Sequence, residues 1–496
     1  MKKIIVTLIV IVMLLSNALT AQESREQKLS NFINTTLKTL PIIPSVSIAI
    51  SNNTETLYAN GFGKYDIENN LKCNSSTNFY IASTTKSFLG LLATLLDNEE
   101  KIDFNEQITN YKPFKNFSNT DIFKNITVLD LITHQSGIDN HYLSFLLAYS
   151  GDYTNETIVK LIEEETFQNE KRKAFEYSNF GYYLLGVLIK EELGLSWKDL
   201  LDEKVFKPLD MENTTAYISR SKNIAKPYVS VFPEKLKKIH LQKSDATMHA
   251  AGGLVSNAND IGKFLSFFLS KGKHNTEALV SKALIESTYT KHVSTSHDGI
   301  KVFDGKAYGK GWRIGNFNKH SVVYHFGGYS GYYSHLSFLP EKNLGVAVFI
   351  NHELGLPIAN LIAKYAYDLY LGNDSNLKKH EKTLKKKIPK LLESAQKSQT
   401  AHEKKQAARS WELSLEKQNY IGHYYNEKFG TAIVTFNNGE NYIEIGNLKA
   451  VCTPFPQLDT MRVELIPNSG SVIKFIVENN ESVSISYGGE IFNKIK

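Results

Sequence analysis

Hydrophobic and polar positions alternate along SVSIAISNNTETLYANGFGKYD, residues 45–66, and Asn52 and Asn53 interrupt the alternation. A period of two puts alternate side chains on opposite faces of a strand, and an Asn pair favours a tight turn. The stretch therefore predicts a β-hairpin. Beyond it the period changes. Apolar residues recur at helical spacing over 83–96, 128–133, 179–193 and 258–270, which predicts helices with broad apolar faces. Strand patterns return in VVYHFGGYSGYYSHLSFLP and GVAVFINH, and IANLIAKYAYDLYL adds a last helix. A hairpin, a helix-rich middle, more strands and a closing helix predict an α+β fold over residues 23–372. Its simplest layout is one antiparallel sheet built from both chain ends, with helices around it.

Residues 373–415 break this pattern. They are rich in Lys, Gln, Ala and Ser, and suit either a charged helix or an extended tether. Residues 416–496 return to short β-branched and aromatic runs, with turn signals in NNGEN at 437–441 and ENNES at 478–482. They predict a small all-β domain, a curled sheet or barrel. At the other end, Lys2 and Lys3 precede an apolar run from Ile4 to Leu15, and Ala21 offers a small residue for cleavage. Residues 1–21 read as a signal peptide, since such a run is too short to cross the ~30 Å hydrocarbon layer. No cysteine near the cleavage point marks a lipid attachment site, and no later stretch reaches roughly 18 apolar residues. An exported, periplasmic or secreted protein without stable membrane insertion is expected.

Charge and cysteines narrow the chemistry further. The chain of 496 residues carries a formal net charge of +6. Eleven basic residues against five acidic ones in 373–415, together with the two leader lysines, account for more than all of it. The remaining surface is slightly acidic, which argues against a nucleic-acid partner. Cys73 and Cys452 are the only cysteines; they lie in different domains and suit structural thiols, although pairing stays open. Neither CxxC nor HExxH occurs, so no metal is expected. No organic cofactor is expected either, and oligomeric state is unreadable.

Candidate catalysts stand at helix mouths. In FYIASTTKSFLGLLATLLDNEE, residues 79–100, Ser83 and Lys86 are one turn apart at the head of an apolar helix. Side chains at i and i+3 share a face, so the Lys86 amine reaches the Ser83 hydroxyl. A serine needs a base to become a nucleophile, and burial turns a lysine into one. Free N–H groups at the helix start suit an oxyanion. Alone, the pair fits equally well a helix cap beside a lysine reaching for water. SxxK occurs seven times in the chain, so only its setting singles this one out. Tyr177 and Asn179 precede the helix at 179–193. Tyr177 is placed to shuttle protons, its pKa expected to fall beside Lys86, while Asn179 can equally cap the helix. In His325-Phe326-Gly327-Gly328, glycines in a strand allow close approach and an oxyanion N–H. His325 is expected to bond a carboxylate or the Tyr177 hydroxyl.

STTK at 83–86, YSN at 177–179 and HFG at 325–327 occur in the order of the penicillin-recognising serine hydrolases, which the chain resembles. The resemblance is to the branch of class C β-lactamases, DD-peptidases, D-amino-acid peptidases and esterases. LDLITHQSGI at 129–138, YSNFGYYLLG at 177–186 and AGGLVSNANDIGKF at 251–264 are similar to it too, so it extends from Ser45 to about Asn351. It implies Ser83 as acylated nucleophile, Lys86 as its activator and Tyr177 as general base and acid. Asn179 would orient the substrate amide, and His325 would stand where the third motif often has lysine. Gly327 would line the site, and the N–H groups of Ser83 and Gly328 would form the oxyanion hole. The implied fold is an antiparallel sheet flanked by helices beside an all-helical lobe.

Two departures matter. His325 removes a permanent cation suited to a substrate carboxylate, which favours peptidases and esterases over β-lactamases. Lys171 and Arg172 stand where the family often has Pro-Gly. YIGHYYNEKFGTAIVTFNNGENYIEI, through Tyr420, Gly422, Tyr424 and Gly430, resembles a lipocalin-like domain appended to some of these hydrolases. The expectation is an exported serine hydrolase of short peptides, possibly containing D-amino acids, or of esters. A DD-peptidase, a β-lactamase or a catalytically silent sensor is the alternative.

Overall fold

The computed structural model describes residues 23–115, 123–138, 144, 147–150, 173–231, 235–241, 243–295, 302–427, 429–467 and 469–495. The expected leader, and Lys171 and Arg172, lie outside the described residues.

The predicted hairpin is present: strand β1 (Ser45–Ser51) pairs antiparallel with β2 (Thr56–Asp66) through Ile48↔Asn60. β1 also pairs with β9 (Leu344–Ile350) through Val46↔Ile350, which joins the two ends of the domain as expected. The sheet continues through β8 (Tyr332–Leu339), β7 (His320–Tyr329), β6 (Arg313–Phe317), β5 (Ala307–Tyr308) and β4 (Val293–Ser294). β3 (Leu71–Lys72) flanks β2 at the other edge.

Every residue of β1 is buried, because both of its faces are covered. Val46, Ile48 and Ile50 share a core with Leu29, Phe32 and Ile33 of α1 (Arg25–Thr39) and with α6 (Gly355–Tyr370). Phe32 stacks on Tyr365 with centroids 3.8 Å apart. The opposite face offers the small residues Ser47, Ala49 and Ser51, so α5 (Ala258–Leu269) comes close enough for Ser51 Oγ to donate to the Gly262 carbonyl at 2.9 Å. The helical lobe contributes α2 (Thr85–Asn98), α3 (Val128–Ile132) and α4 (Asn179–Leu193). α1 has no counterpart in the sequence reading, because its four buried side chains are diluted by Asn, Thr and Lys.

The basic segment is one helix, α7 (Asp374–Ala407), of the two forms left open. Leu377, Leu384 and Ile388 pack it on α6 and α1; its second half is exposed. The C-terminal strands, β10 (Gly422–Asn426) to β17 (Glu490–Ile495), form a closed eight-stranded barrel in chain order, sealed by β10 against β17. Closure leaves no free sheet edge. The barrel touches the first domain through Asn447, whose N–H donates to Ser150 O at 3.0 Å and whose Nδ2 donates to Ser244 Oγ at 3.1 Å. His240 donates from Nε2 to Lys449 O at 2.8 Å. Gly446 permits this contact: its φ is +54°, and an added Cβ would lie 2.4 Å from Ser150 O. Cys73 and Cys452 are unpaired and buried, and burial pushes their thiols up to about 11 and about 12.

Candidate active site

Ser83 lies in a 3₁₀ turn, Ala82–Thr84, that feeds α2. Ala82 has φ +48°, a left-handed conformation that costs an alanine energy and that surrounding structure must enforce. The turn is anchored from both sides. Ile81 N–H donates to Leu254 O at 2.9 Å, and Ile81 O accepts from Ser334 Oγ at 2.6 Å and Thr84 Oγ1 at 2.8 Å.

Lys86 is fully buried. Its Nζ lies 2.7 Å from Asn179 Oδ1, 2.7 Å from Ala251 O and 3.2 Å from Ser83 Oγ. The rings of Tyr177 and Tyr182 approach within 4.9 and 5.2 Å. Burial, reinforced by Arg313, pushes the amine well below the usual lysine value. A neutral amine has two N–H donors and one lone pair. The Asn179 and Ala251 oxygens can only accept, so they take the two protons. The lone pair is then left to face the Ser83 hydroxyl, 3.2 Å away.

Asn179 therefore serves Lys86 and does not cap α4. Ser178 is the cap, accepting from Phe180 N–H at 3.0 Å. Tyr177 departs from expectation in the opposite sense. Burial raises its phenol above the usual value, and Ser83 and Arg313 offset this only in part. The depression expected from Lys86 does not arise, because burial of the phenol outweighs the groups that lower it. Tyr177 is thus held as a proton donor.

Among the described residues, His325 bonds neither a carboxylate nor Tyr177, whose ring centroid is 6.3 Å away. Its Nδ1–H donates to Phe326 O at 2.8 Å, and its Nε2 lies 3.1 Å from the Tyr308 hydroxyl. That hydroxyl lies 3.2 Å from His134 Nε2, and His134 Nδ1 accepts from Ser178 N–H at 3.2 Å. These constraints fix one direction of donation: His134 to Tyr308, and Tyr308 to His325. His134, Tyr308 and Arg313 have no role in the sequence reading. His134 lies inside the LDLITHQSGI stretch, but Tyr308 and Arg313 carry no motif. Arg313 stands 5.4 Å from the Tyr177 ring centre.

β7 supplies the opposite wall. β6 pairs with it only as far as Arg313↔Tyr324, so residues 325–329 are paired with β8 alone and keep one open edge. Gly327 is required there, since a Cβ would lie 2.1 Å from Ile81 O and 2.3 Å from Ser334 Oγ. This close packing brings the strand against the turn that carries Ser83, and Gly328 is exposed.

The titrations predict a pH profile. Burial holds His134 and His325 well below the ordinary histidine value, so neither should produce a limb near pH ~6.5. The lone pair on Lys86 disappears when the amine is protonated. Activity should therefore fall as pH drops through the lowered Lys86 pKa, and His325→Gln should keep that limb. A kcat/KM profile over about pH 5–9 checks this. Unfolded, the same lysine binds a proton up to pH ~10.4, so between the two values stability should rise with pH.

The Beta-lactamase family model matches residues 33–369. The chain belongs to the Beta-lactamase family. Protein flp of Staphylococcus aureus (strain COL) is 25% identical over 314 residues, covering 62% of this chain and 60% of the relative. A Beta-lactamase of Providencia stuartii is 24% identical over 263 residues, 53% of this chain and 62% of the relative. The chain thus spans about three fifths of the length of these family members. Among solved structures, the octameric penicillin-binding protein homologue from Pyrococcus abyssi has a TM-score of 0.60 at 24% identity, covering 94% of this chain and 99% of its own. The D-amino acid amidase from Ochrobactrum anthropi SV3 has a TM-score of 0.59 at 22% identity, covering 70% and 99%. These two support the family fold. The first spans nearly all of this chain.

Proposed function

We propose that this chain is an exported serine hydrolase that forms an acyl-enzyme on Ser83, with short peptides, including D-amino-acid ones, or esters as substrates. The lone pair of Lys86 carries the reading, because it faces the Ser83 hydroxyl at 3.2 Å. Lys86 takes the Ser83 proton as Oγ attacks the substrate carbonyl. The carbonyl oxygen moves between the N–H groups of Ser83 and Gly328. Tyr177 gives its proton to the departing nitrogen or oxygen and recovers one from the Lys86 ammonium. Water then repeats the sequence to release the acid. Asn179 aligns Lys86 and a substrate amide, His325 and Gly327 keep the β7 edge in place, and residues 1–21 supply the export signal.

The fold shared with a D-amino acid amidase and with EstCE1, a hydrolase with promiscuous acyltransferase activity, supports an amide or ester substrate. A β-lactamase or DD-peptidase reading gains less. His325 is neutral and both its nitrogens are engaged, so it presents no charge of its own to a substrate carboxylate. A fluorophosphonate probe tests the nucleophile. The wild type should be labelled and Ser83→Ala should not; labelling that survives in the variant would assign the reaction to another residue.

A further inference from the structure

Lys243 is a half-buried lysine outside the catalytic set. Its Nζ donates to Ala148 O at 2.5 Å and Thr247 O at 3.2 Å. The rings of Tyr329, Tyr149 and Tyr80 surround it at 4.4, 5.2 and 5.3 Å. No carboxylate pairs with it among the described residues. Burial alone pushes the amine well below the usual lysine value. The nearest acid in sequence, Asp245, is bonded by Ser219 Oγ at 2.5 Å and by Ser219 N–H at 3.0 Å, on the side of Lys198. Lys243 lines a cavity of about 430 Å³ with Tyr80, Tyr329, Tyr332, Lys226 and Lys238, and Asp245 is the one carboxylate among the described lining residues. The buried Tyr329 hydroxyl has no partner among the described residues. A cationic, tyrosine-walled cavity whose innermost amine lacks a counter-charge is built for an anion.

Two lining residues are chain neighbours of the site: Tyr80 precedes Ser83 by three residues, and Tyr329 follows Gly328 on β7. A Cβ on Gly252 would stand 3.4 Å from the Ala82 carbonyl carbon, the atom bonded to Ser83 N, and 3.5 Å from the Tyr80 hydroxyl. Gly252 thus packs beside the turn that carries Ser83 and beside Tyr80, with His249 Cε1 also 3.4 Å from such a Cβ. In the acylation step the carbonyl oxygen faces the two N–H groups and the leaving group faces Tyr177. The remaining substituent, the acyl chain, points away from Tyr177, along β7 towards Tyr329.

Resting on the acyl-enzyme reading above, we propose that the enzyme selects acyl groups ending in a carboxylate, a dicarboxylic half-ester or an acidic amino-acid residue, and that the Lys243 amine receives that carboxylate. The bound anion favours the charged amine, so Lys243 takes up a proton from solvent, stays hydrogen-bonded to Ala148 and Thr247 and gains its missing counter-charge.

The test compares p-nitrophenyl hydrogen glutarate with p-nitrophenyl butyrate, esters of similar acyl length that differ by one carboxylate. In the wild type, kcat/KM should favour the glutarate at least tenfold. In Lys243→Met that ratio should fall at least tenfold. A wild-type ratio of one or less, or an equal ratio in both proteins, would overturn the proposal. The wild-type ratio alone decides if the variant does not fold. Should neither ester be turned over, the acyl-enzyme reading fails. The pocket is then judged by whether glutarate raises the Tm of Ser83→Ala but not of Ser83→Ala/Lys243→Met; no shift in either overturns it.

Discussion

Lys86→Arg is expected to lower kcat by about three orders of magnitude, the upper range for losing a general base. The substitution keeps a long side chain with hydrogen-bond donors, so a loss cannot be attributed to an emptied site. What disappears is the lone pair, because a guanidinium does not deprotonate in proteins. Lys86→Met should lose as much. Both comparisons need folded protein, and α2 supplies ten other buried positions to hold the fold. Steady-state turnover of an aryl ester, read beside circular dichroism, checks the result. If Lys86→Arg retained more than about a tenth of wild-type kcat, the base would have to be another group.

Tyr177→Phe separates two kinds of substrate. The phenol is raised by burial and so carries its proton at neutral pH. A departing amine must receive a proton before it can leave, whereas p-nitrophenolate leaves as an anion. Amide turnover should therefore fall about 10³-fold and p-nitrophenyl ester turnover by only about tenfold, from the general range of acid–base contributions. Parallel kcat/KM measurements on an aminoacyl amide and an aryl ester check the difference. Equal losses would mean that Tyr177 acts before the leaving group departs.

The fold was legible where periodicity was strong. β1 and β2, α2, α4 and α5 all announce themselves by spacing, and so do the barrel strands. α1 was hidden because its polar residues outnumber the four that are buried. The form of α7 was undecided because its apolar residues are too sparse to specify a partner. At the site, Ser83, Lys86, Tyr177 and Asn179 stand together, as helix-mouth positions suggest. The protonation of the groups was not legible. Whether Tyr177 is pushed up or down depends on how deeply it and Lys86 are buried, which is a property of the assembled core. His325 illustrates the same limit. Its partners, Tyr308 and Phe326, are set by how β5 and β7 lie in the sheet.

Under the proposed acyl-group selection, the clamp at Asn447 would link the barrel to selectivity through heat. Asn447 holds Ser150 and Ser244, the neighbours in sequence of Tyr149 and Lys243, whereas Ser83, Lys86 and Tyr177 are fixed by elements of the first domain alone. Warming that loosens the barrel would free the cage around Lys243 while leaving the nucleophile armed. The enzyme would then grow indiscriminate before it grew inactive.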